Sequence, residues 1–158
     1  HKYTYSHLGF NLKITDMQAA CGLAQLDRLE GFISKRKANF TYLYNSLKEL
    51  EEFLILSEKE KNSDPSWFGF PLTIRDENKF DRAKLMQFLN EHNIGTRLLF
   101  AGNVIKQPYM KNINYRIAST LEKSEIVMKN TFWIGLYPGL SNDHLDHSST
   151  KIKEFFKK

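Results

Sequence analysis

The amino-acid sequence predicts an α+β fold. After residue 50, short apolar segments alternate with amphipathic helical segments in the order β-β-α-β-loop-α-β-α, which is typical of a mostly antiparallel sheet with helices on one face. Before that point, apolar side chains recur every three or four residues from residue 15 onward, which predicts two long helices. We therefore expect a loop with bridging or interface helices, residues 1–50, followed by a small α+β domain, residues 51–158.

The first helix has a clear start signal. Thr15 and Gln18 have the spacing of a capping box, in which the threonine hydroxyl accepts a hydrogen bond from the backbone N–H of the glutamine. The helical period then continues and is interrupted at Gly31. We predict consecutive helices over residues 15–29 and 32–50.

The second segment contains the strands. Its pattern predicts a buried strand at 53–56, a surface loop, and a strand at 67–75 in which Pro71 indicates an edge position or a bulge. Asn78 is expected to cap the helix that follows. The remaining predicted elements are a strand at 96–100, an irregular loop at 101–116, a helix near 121–129, a strand at 132–137 and a last helix capped by Ser141.

The composition is that of a globular protein. Hydrophobic residues make up 41% of the chain and aromatic residues 13%, which excludes the intrinsically disordered class. The net charge of +5 is scattered, so nucleic-acid binding is not expected, although an anionic ligand such as a nucleotide sugar suits a modest positive field. No apolar run approaches the length of a membrane span and no signal peptide is recognised, so we expect a cytoplasmic protein without membrane attachment.

A single cysteine, Cys21, excludes an internal disulfide. It lies on the apolar side of the first helix, where we expect a buried and inert thiol. The sequence has no metal-ligand spacing and no glycine-rich phosphate loop, so no metal site is expected in this chain.

Residues 9–20, Gly-Phe-Asn-Leu-Lys-Ile-Thr-Asp-Met-Gln-Ala-Ala, resemble the pattern G-Y-N-x-R/K-x-T/S-D-x-Q-A-A. That pattern marks the DegT/DnrJ/EryC1/StrS superfamily of pyridoxal-phosphate sugar aminotransferases and dehydratases. Later blocks at residues 65–72, 94–103, 107–109 and 131–140 are similar to one branch, the CDP-6-deoxy-4-hexulose 3-dehydrase or lipopolysaccharide 3-dehydratase group. The resemblance extends over nearly the whole chain.

The resemblance implies the type I pyridoxal-phosphate aminotransferase fold, with a large cofactor-carrying domain and a small C-terminal α+β domain. This chain is similar to the bridging helices and the small domain, so the large domain is expected upstream of residue 1. The cofactor-linking lysine of the family, or the histidine that replaces it in the 3-dehydrase branch, lies in that large domain. We therefore expect no catalytic residue in this chain, and we expect the chain alone to be inactive. The intact protein is expected to remove the C3 hydroxyl of a CDP-4-keto-6-deoxyhexose in surface polysaccharide biosynthesis.

The resemblance also implies a cofactor, pyridoxal phosphate or pyridoxamine phosphate, and a homodimer. Asn11 matches the family asparagine that reaches the cofactor phosphate of the neighbouring subunit, and His7 is a weaker candidate for the same site. Members that couple to a reductase, an iron–sulfur flavoprotein, hold a [2Fe–2S] cluster through upstream cysteines. Cys21 alone cannot hold such a cluster, because it needs four thiolates.

Four residues of the branch-specific block around residues 94–103 are candidates for binding the nucleotide-sugar substrate. The guanidinium of Arg97 suits a diphosphate, and its alternative role is a surface ion pair. Phe100 follows in the same block. Gly102 lets the backbone approach a ligand closely, and Asn103 suits sugar hydroxyls or a turn.

Two other functions remain open from the sequence. The intact protein is a nucleotide-sugar aminotransferase of the same superfamily if the upstream residue is lysine rather than histidine. A protein of another class, a stand-alone protein-interaction domain, would use the helices of residues 15–50 to bind its partner.

Overall fold

The computed structural model describes residues 12–157 of the chain. The chain forms two compact units, His1–Gly31 and Phe32–Lys158. None of the helices within residues 12–157 combines the length and the apolar character that crossing a membrane requires.

Helix α1, Asp16–Leu26, belongs to the first unit. The Thr15 hydroxyl accepts from the Gln18 backbone N–H, and the Gln18 side chain accepts in return from the Thr15 backbone N–H at 2.9 Å. The predicted capping box is confirmed. Helix α1 buries none of its side chains, and Cys21 is exposed. The expected burial of this thiol is wrong, because amphipathic spacing shows which side chains share a face but not whether that face is covered.

Helix α2, Leu29–Leu47, is followed by one 3₁₀ turn, Lys48–Leu50. The break between the two helices lies at residues 27 and 28, and Gly31 is inside α2. The expected interruption at Gly31 is wrong, because one glycine costs a helix interior only about 1 kcal/mol relative to alanine. The second part of α2 belongs to the larger unit, where it packs into the core.

The larger unit contains a four-stranded antiparallel sheet with the strand order β1-β2-β4-β3. The predicted antiparallel α+β layer is confirmed. Pro71 lies in a central strand, yet the pairing of β1 with β2 ends at Leu72, so Pro71 has one neighbouring strand. Its missing N–H is therefore tolerated there. The strands are Leu54–Leu56 (β1), Gly69–Ile74 (β2), Thr96–Leu98 (β3) and Thr131–Gly135 (β4).

Three further helices and two 3₁₀ turns complete the larger unit. Helices α2, α3 and α5 cover one face of the sheet and form a single hydrophobic core with it. The helices are α3 (Arg82–Glu91), α4 (Glu122–Asn130) and α5 (Asn142–Phe156), and the turns are Val104–Lys106 and Pro108–Asn112. The fully buried side chains include Leu43, Leu47, Phe70, Leu72, Leu85, Leu89, Phe132, Leu145 and Ile152.

The start of α3 differs from the expectation. Asp81, not Asn78, is its N-cap, and its carboxylate accepts from the backbone N–H of Lys84. Asn78 belongs to a turn in which its own N–H donates to the side chain of Asp76. Phe80 precedes the helix and packs against aromatic rings of the core, so tertiary contacts select the later of two suitable caps.

Ser141 caps helix α5 as predicted, and the contribution of this cap to the free energy of unfolding can be measured. The Ser141 hydroxyl accepts from the backbone N–H of His144, and the His144 ring accepts from the backbone N–H of Ser141 at 3.1 Å. Ser141→Ala is expected to lower the free energy of unfolding by about 1 kcal/mol in urea titrations. Ser148→Ala is the control, because that hydroxyl bonds within the helix to the His144 carbonyl and caps nothing. Equal losses in the two variants would contradict the cap.

Candidate functional site

The sheet has a second face that the core does not use. Side chains alternate between the faces of a strand, and the cross-strand register places Pro71, Trp133 and Arg97 side by side on three neighbouring strands, opposite the core residues. Phe68 precedes β2 and adjoins this row, with its ring centroid 5.0 Å from that of Trp133. We refer to Phe68, Pro71, Arg97 and Trp133 as the open face.

The centre of the open face is the indole of Trp133. Its Nε1 donates to the carbonyl oxygen of Leu98 at 3.2 Å, which ties it to β3. The ring lies directly over Gly69, where a Cβ atom would overlap it. Glycine at this position therefore lets the ring lie close to β2, and Phe68, with 66% of its surface exposed, packs against the indole at an interplanar angle of 50°. The result is a fixed aromatic platform with an accessible rim.

Arg97 lies beside that platform, and none of the ion pairs within residues 12–157 includes it. It is exposed on β3 and directly opposite Trp133. The alternative role of a surface ion pair is therefore not observed among the described residues. A planar cation next to aromatic rings is suited to bind a phosphate bidentately.

The chain leaves β3 in an unusual conformation at Phe100. This residue has φ of +48°, a left-handed conformation that is unfavourable for a bulky side chain. Its N–H donates to the carbonyl of Leu98 at 2.8 Å, and 79% of its surface is exposed. An exposed aromatic ring on a strained backbone is typical of a functional position.

Gly102 and Asn103 hold the segment after β3 against helix α4. Gly102 has φ of +64°, and a Cβ atom there would lie 2.5 Å from the Cα of Met128. Asn103 is 3% exposed and donates to the carboxylate of Glu125 at 2.8 Å, while its amide oxygen accepts from the N–H of Ile105. The amide oxygen of Asn103 thus caps a turn, which is the alternative role that the sequence offered, whereas the contacts of Gly102 with Met128 and of Asn103 with Glu125 were not predicted. Both residues shape the segment that presents Phe100.

The packing of Gly102 predicts a specific loss of stability. Gly102→Ala should lower the free energy of unfolding by about 2 kcal/mol, because the methyl group meets the α4 backbone and the left-handed conformation costs about 1–2 kcal/mol. Thermal unfolding followed by circular dichroism measures the change. Gly95→Ala is the matched control, since a Cβ atom there meets nothing within 4 Å. A stable Gly102→Ala variant would contradict the close contact.

A separate cavity of about 490 Å³ lies between α2 and the loop that precedes β2. Tyr44, Phe40 and Trp67 contribute its aromatic wall. At its rim, a hydrogen bond and the charge of Lys37 hold the pKa of Asp64 below its usual value. Among the described residues, neither the predicted substrate-binding residues nor the four residues of the open face line this cavity, so it is distinct from the open face.

The structure thus groups some of the predicted site residues and leaves others untested. Arg97, Phe100, Gly102 and Asn103 lie in one segment that leads away from β3. Asn11 and His7 lie outside the described residues. Phe68 was missed as a site residue, because the sequence places it in a strand, whereas β2 begins only at Gly69.

Comparison with known proteins identifies the family. The family model described as DegT/DnrJ/EryC1/StrS aminotransferase family matches residues 1–153. The chain belongs to this family. The predicted membership is confirmed, and with it the type I aminotransferase fold, which solved neighbours of the chain share.

Two curated relatives and one solved structure are especially similar. The chain is 58% identical over 156 residues to the lipopolysaccharide biosynthesis protein RfbH of Salmonella typhimurium, covering 99% of this chain and 36% of the relative. It is 47% identical over 158 residues to dTDP-4-dehydro-2,6-dideoxy-D-glucose 3-dehydratase of Saccharopolyspora spinosa, covering 100% of this chain and 34% of the relative. E. coli GDP-4-keto-6-deoxy-D-mannose-3-dehydratase with bound hydrated PLP superposes with a TM-score of 0.83 at 26% identity, covering 96% of this chain and 38% of that one.

The chain spans about a third of the length of these DegT/DnrJ/EryC1/StrS relatives. The described residues that follow Asn11 in the sequence do not favour a phosphate by themselves. The N-terminus of α1, the nearest described element to Asn11, is closed by its own capping box and carries Asp16 in its first turn, which opposes an anion. Within residues 12–157, no group of three metal-binding side chains converges.

Proposed function

We propose that this chain is the C-terminal part of a pyridoxal-phosphate-dependent nucleotide-sugar 3-dehydratase in surface polysaccharide biosynthesis. The observation that supports this most is the 47% identity, over the whole chain, to a protein named as a nucleotide-sugar 3-dehydratase. The 58% identity to a lipopolysaccharide biosynthesis protein supports the biological role. The reaction removes the C3 hydroxyl of a 4-keto-6-deoxyhexose that is linked to a nucleoside diphosphate, with CDP as the expected nucleotide.

The open face is proposed to contact this substrate. Arg97 carries an exposed guanidinium with no carboxylate partner within residues 12–157, and a diphosphate offers paired oxygens that match its geometry. The rim of Phe68 and the ring of Phe100 supply apolar surface that excludes water from the sugar or base. Gly102 and Asn103 act on the substrate through the position of Phe100.

The part of the protein that carries the cofactor is proposed to lie outside this chain. Asn11 is proposed to bind the cofactor phosphate across a homodimer, with His7 as a second contact. The family's cofactor-linking lysine, or the histidine that replaces it in the 3-dehydrase branch, is proposed to lie in the large domain, and any [2Fe–2S] cluster that couples to an iron–sulfur flavoprotein reductase is proposed to be bound upstream. The proposed location is the cytoplasm, where we expect the protein to meet its nucleotide-sugar substrate.

An aminotransferase of the same superfamily is the second candidate. It is favoured by the description of the matching family, which is an aminotransferase family. The two candidates differ in the reaction at the sugar: loss of the C3 hydroxyl for the dehydratase, and gain of an amino group at C4 for the aminotransferase.

The product of the full-length enzyme tests the proposal. The protein is incubated with pyridoxamine phosphate and CDP-4-keto-6-deoxyhexose, with the dTDP and GDP counterparts in parallel, and the products are identified by mass spectrometry and NMR. We expect the C3 hydroxyl to be replaced by hydrogen, so that the sugar loses one oxygen atom. The two electrons that this replacement needs come from pyridoxamine phosphate, which is oxidised to pyridoxal phosphate as ammonia is released, or from an added iron–sulfur flavoprotein reductase. Glutamate-dependent formation of an amino sugar would support the second candidate, and no reaction with any of the three substrates would contradict both.

A further inference from the structure

Two side chains of helix α2 bind the backbone at the end of the sheet where the open face begins. Nη1 of Arg36 donates to the carbonyl oxygens of Trp67 at 3.0 Å and of Leu136 at 2.6 Å. Nδ2 of Asn39 donates to the carbonyl oxygen of Tyr137 at 3.0 Å. Because β2 and β4 are antiparallel, the start of β2 and the end of β4 lie together, and α2 binds both.

Arg36 and Asn39 direct their polar groups to these backbone carbonyls. Asn39 is 1% exposed, and its hydrogen bond to the Tyr137 carbonyl satisfies the buried amide. Arg36 is half-buried, and none of the ion pairs within residues 12–157 includes it. Its charge is therefore directed at two backbone carbonyls rather than at a carboxylate.

These carbonyls are next to two exposed aromatic side chains, Phe68 and Tyr137. Trp67 is followed directly by Phe68, and Tyr137 is 50% exposed. Gly69 follows Phe68 and provides no side chain to fix the local backbone. The direction of the Phe68 ring depends on its contact with Trp133 and on the preceding peptide. Arg36 holds that peptide from one side, and the stacking of Trp67 on Phe40, with centroids 4.4 Å apart, holds it from the other.

We propose that Arg36 and Asn39 are positioning residues that hold Phe68 and Tyr137 at the edge of the open face for contact with the nucleotide sugar. The proposal rests on the proposed function. It extends the site to a helix that contributes no side chain to the open face. Arg36 acts through Phe68, and Asn39 acts through Tyr137.

The test uses the full-length enzyme with the substrate, among the CDP, dTDP and GDP 4-keto-6-deoxyhexoses, that the wild type converts. Arg36→Met keeps the length of the side chain and removes its donors, and Arg36→Lys restores one donor. We expect Arg36→Met to raise KM about tenfold, within the range that misplacing a binding group by about an ångström produces, with a smaller change in kcat. Arg36→Lys should recover part of this loss.

Arg75→Met is the matched control, because Nε of Arg75 donates to the carbonyl oxygen of Glu51, which is not part of the open face. A merely structural role of Arg36 would lower the melting temperature and the active fraction, and KM would stay at the wild-type value. That result would overturn the proposal.

A double-mutant cycle combines Phe68→Ala with Arg36→Met and tests whether Arg36 acts through Phe68. If Arg36→Met folds poorly, Arg36→Lys replaces it in the cycle. If Arg36 acts through Phe68, the Arg36 substitution should add little to KM once the ring is absent. Independent, additive effects on KM would overturn the proposal. If the wild type converts none of the three nucleotide sugars, both the proposed function and this inference are overturned. If the wild type is active and KM is unchanged in both Arg36 variants, only this inference is overturned.

Discussion

Under the proposed function, replacing Arg97 by alanine in the full-length protein is expected to raise KM for the nucleotide sugar by about 10- to 100-fold. Hydrogen bonds to a charged group contribute about 1.5–3 kcal/mol, and a diphosphate bound to a guanidinium loses this contribution when the side chain is removed. The free energy of unfolding should change by less than about 0.5 kcal/mol, because the side chain is exposed and has no ion-pair partner within the described part of the chain.

Steady-state kinetics and urea unfolding of the same preparations separate the two effects. Arg97→Lys should fall between the wild type and the alanine variant, since an ammonium keeps the charge but not the bidentate geometry. Arg75→Ala is the control for loss of a surface arginine and should leave KM unchanged. A wild-type KM in Arg97→Ala would remove this residue from the substrate site.

Replacing Phe132 by alanine should cause the largest loss of stability among the variants considered. Phe132 is completely buried in the central strand β4, where it pairs with Leu72 on one side and Leu98 on the other. Truncation of a fully buried phenylalanine removes its transfer free energy and leaves a cavity, at a cost of about 3–5 kcal/mol. Urea unfolding followed by far-UV circular dichroism measures this change.

Phe100→Ala is the matched control for the same substitution at a different depth. Since 79% of the surface of Phe100 is exposed, the free energy of unfolding should change by less than about 0.5 kcal/mol, while KM for the nucleotide sugar should rise. Equal destabilisation by the two variants would contradict the burial assigned to them.

Much of the fold could be predicted from local chemistry. Thr15 and Ser141 cap their helices as expected, because a hydroxyl or carboxylate three residues ahead of a suitable N–H is a purely local signal. The antiparallel layer followed from the alternation of apolar segments. The start of α3 could not be chosen in the same way, since Asn78 and Asp81 are both good caps and the aromatic packing of Phe80 decides between them.

The candidate site was only partly accessible from the sequence. The segment with Arg97 and Phe100 was selected through its resemblance to a family, and its binding role stays a prediction. The contact of Gly102 with Met128 and the burial of Asn103 depend on residues about 25 positions away along the chain. The contribution of Arg36 could not be predicted, because the carbonyls that it binds lie 31 and 100 residues away.

A crystal structure of the full-length enzyme with a bound nucleotide sugar tests the account most directly. The account predicts that the diphosphate lies within hydrogen-bond distance of the Arg97 guanidinium and that the sugar or base contacts the ring of Phe68. A nucleotide sugar bound elsewhere, with the open face covered by another segment of protein, would contradict it.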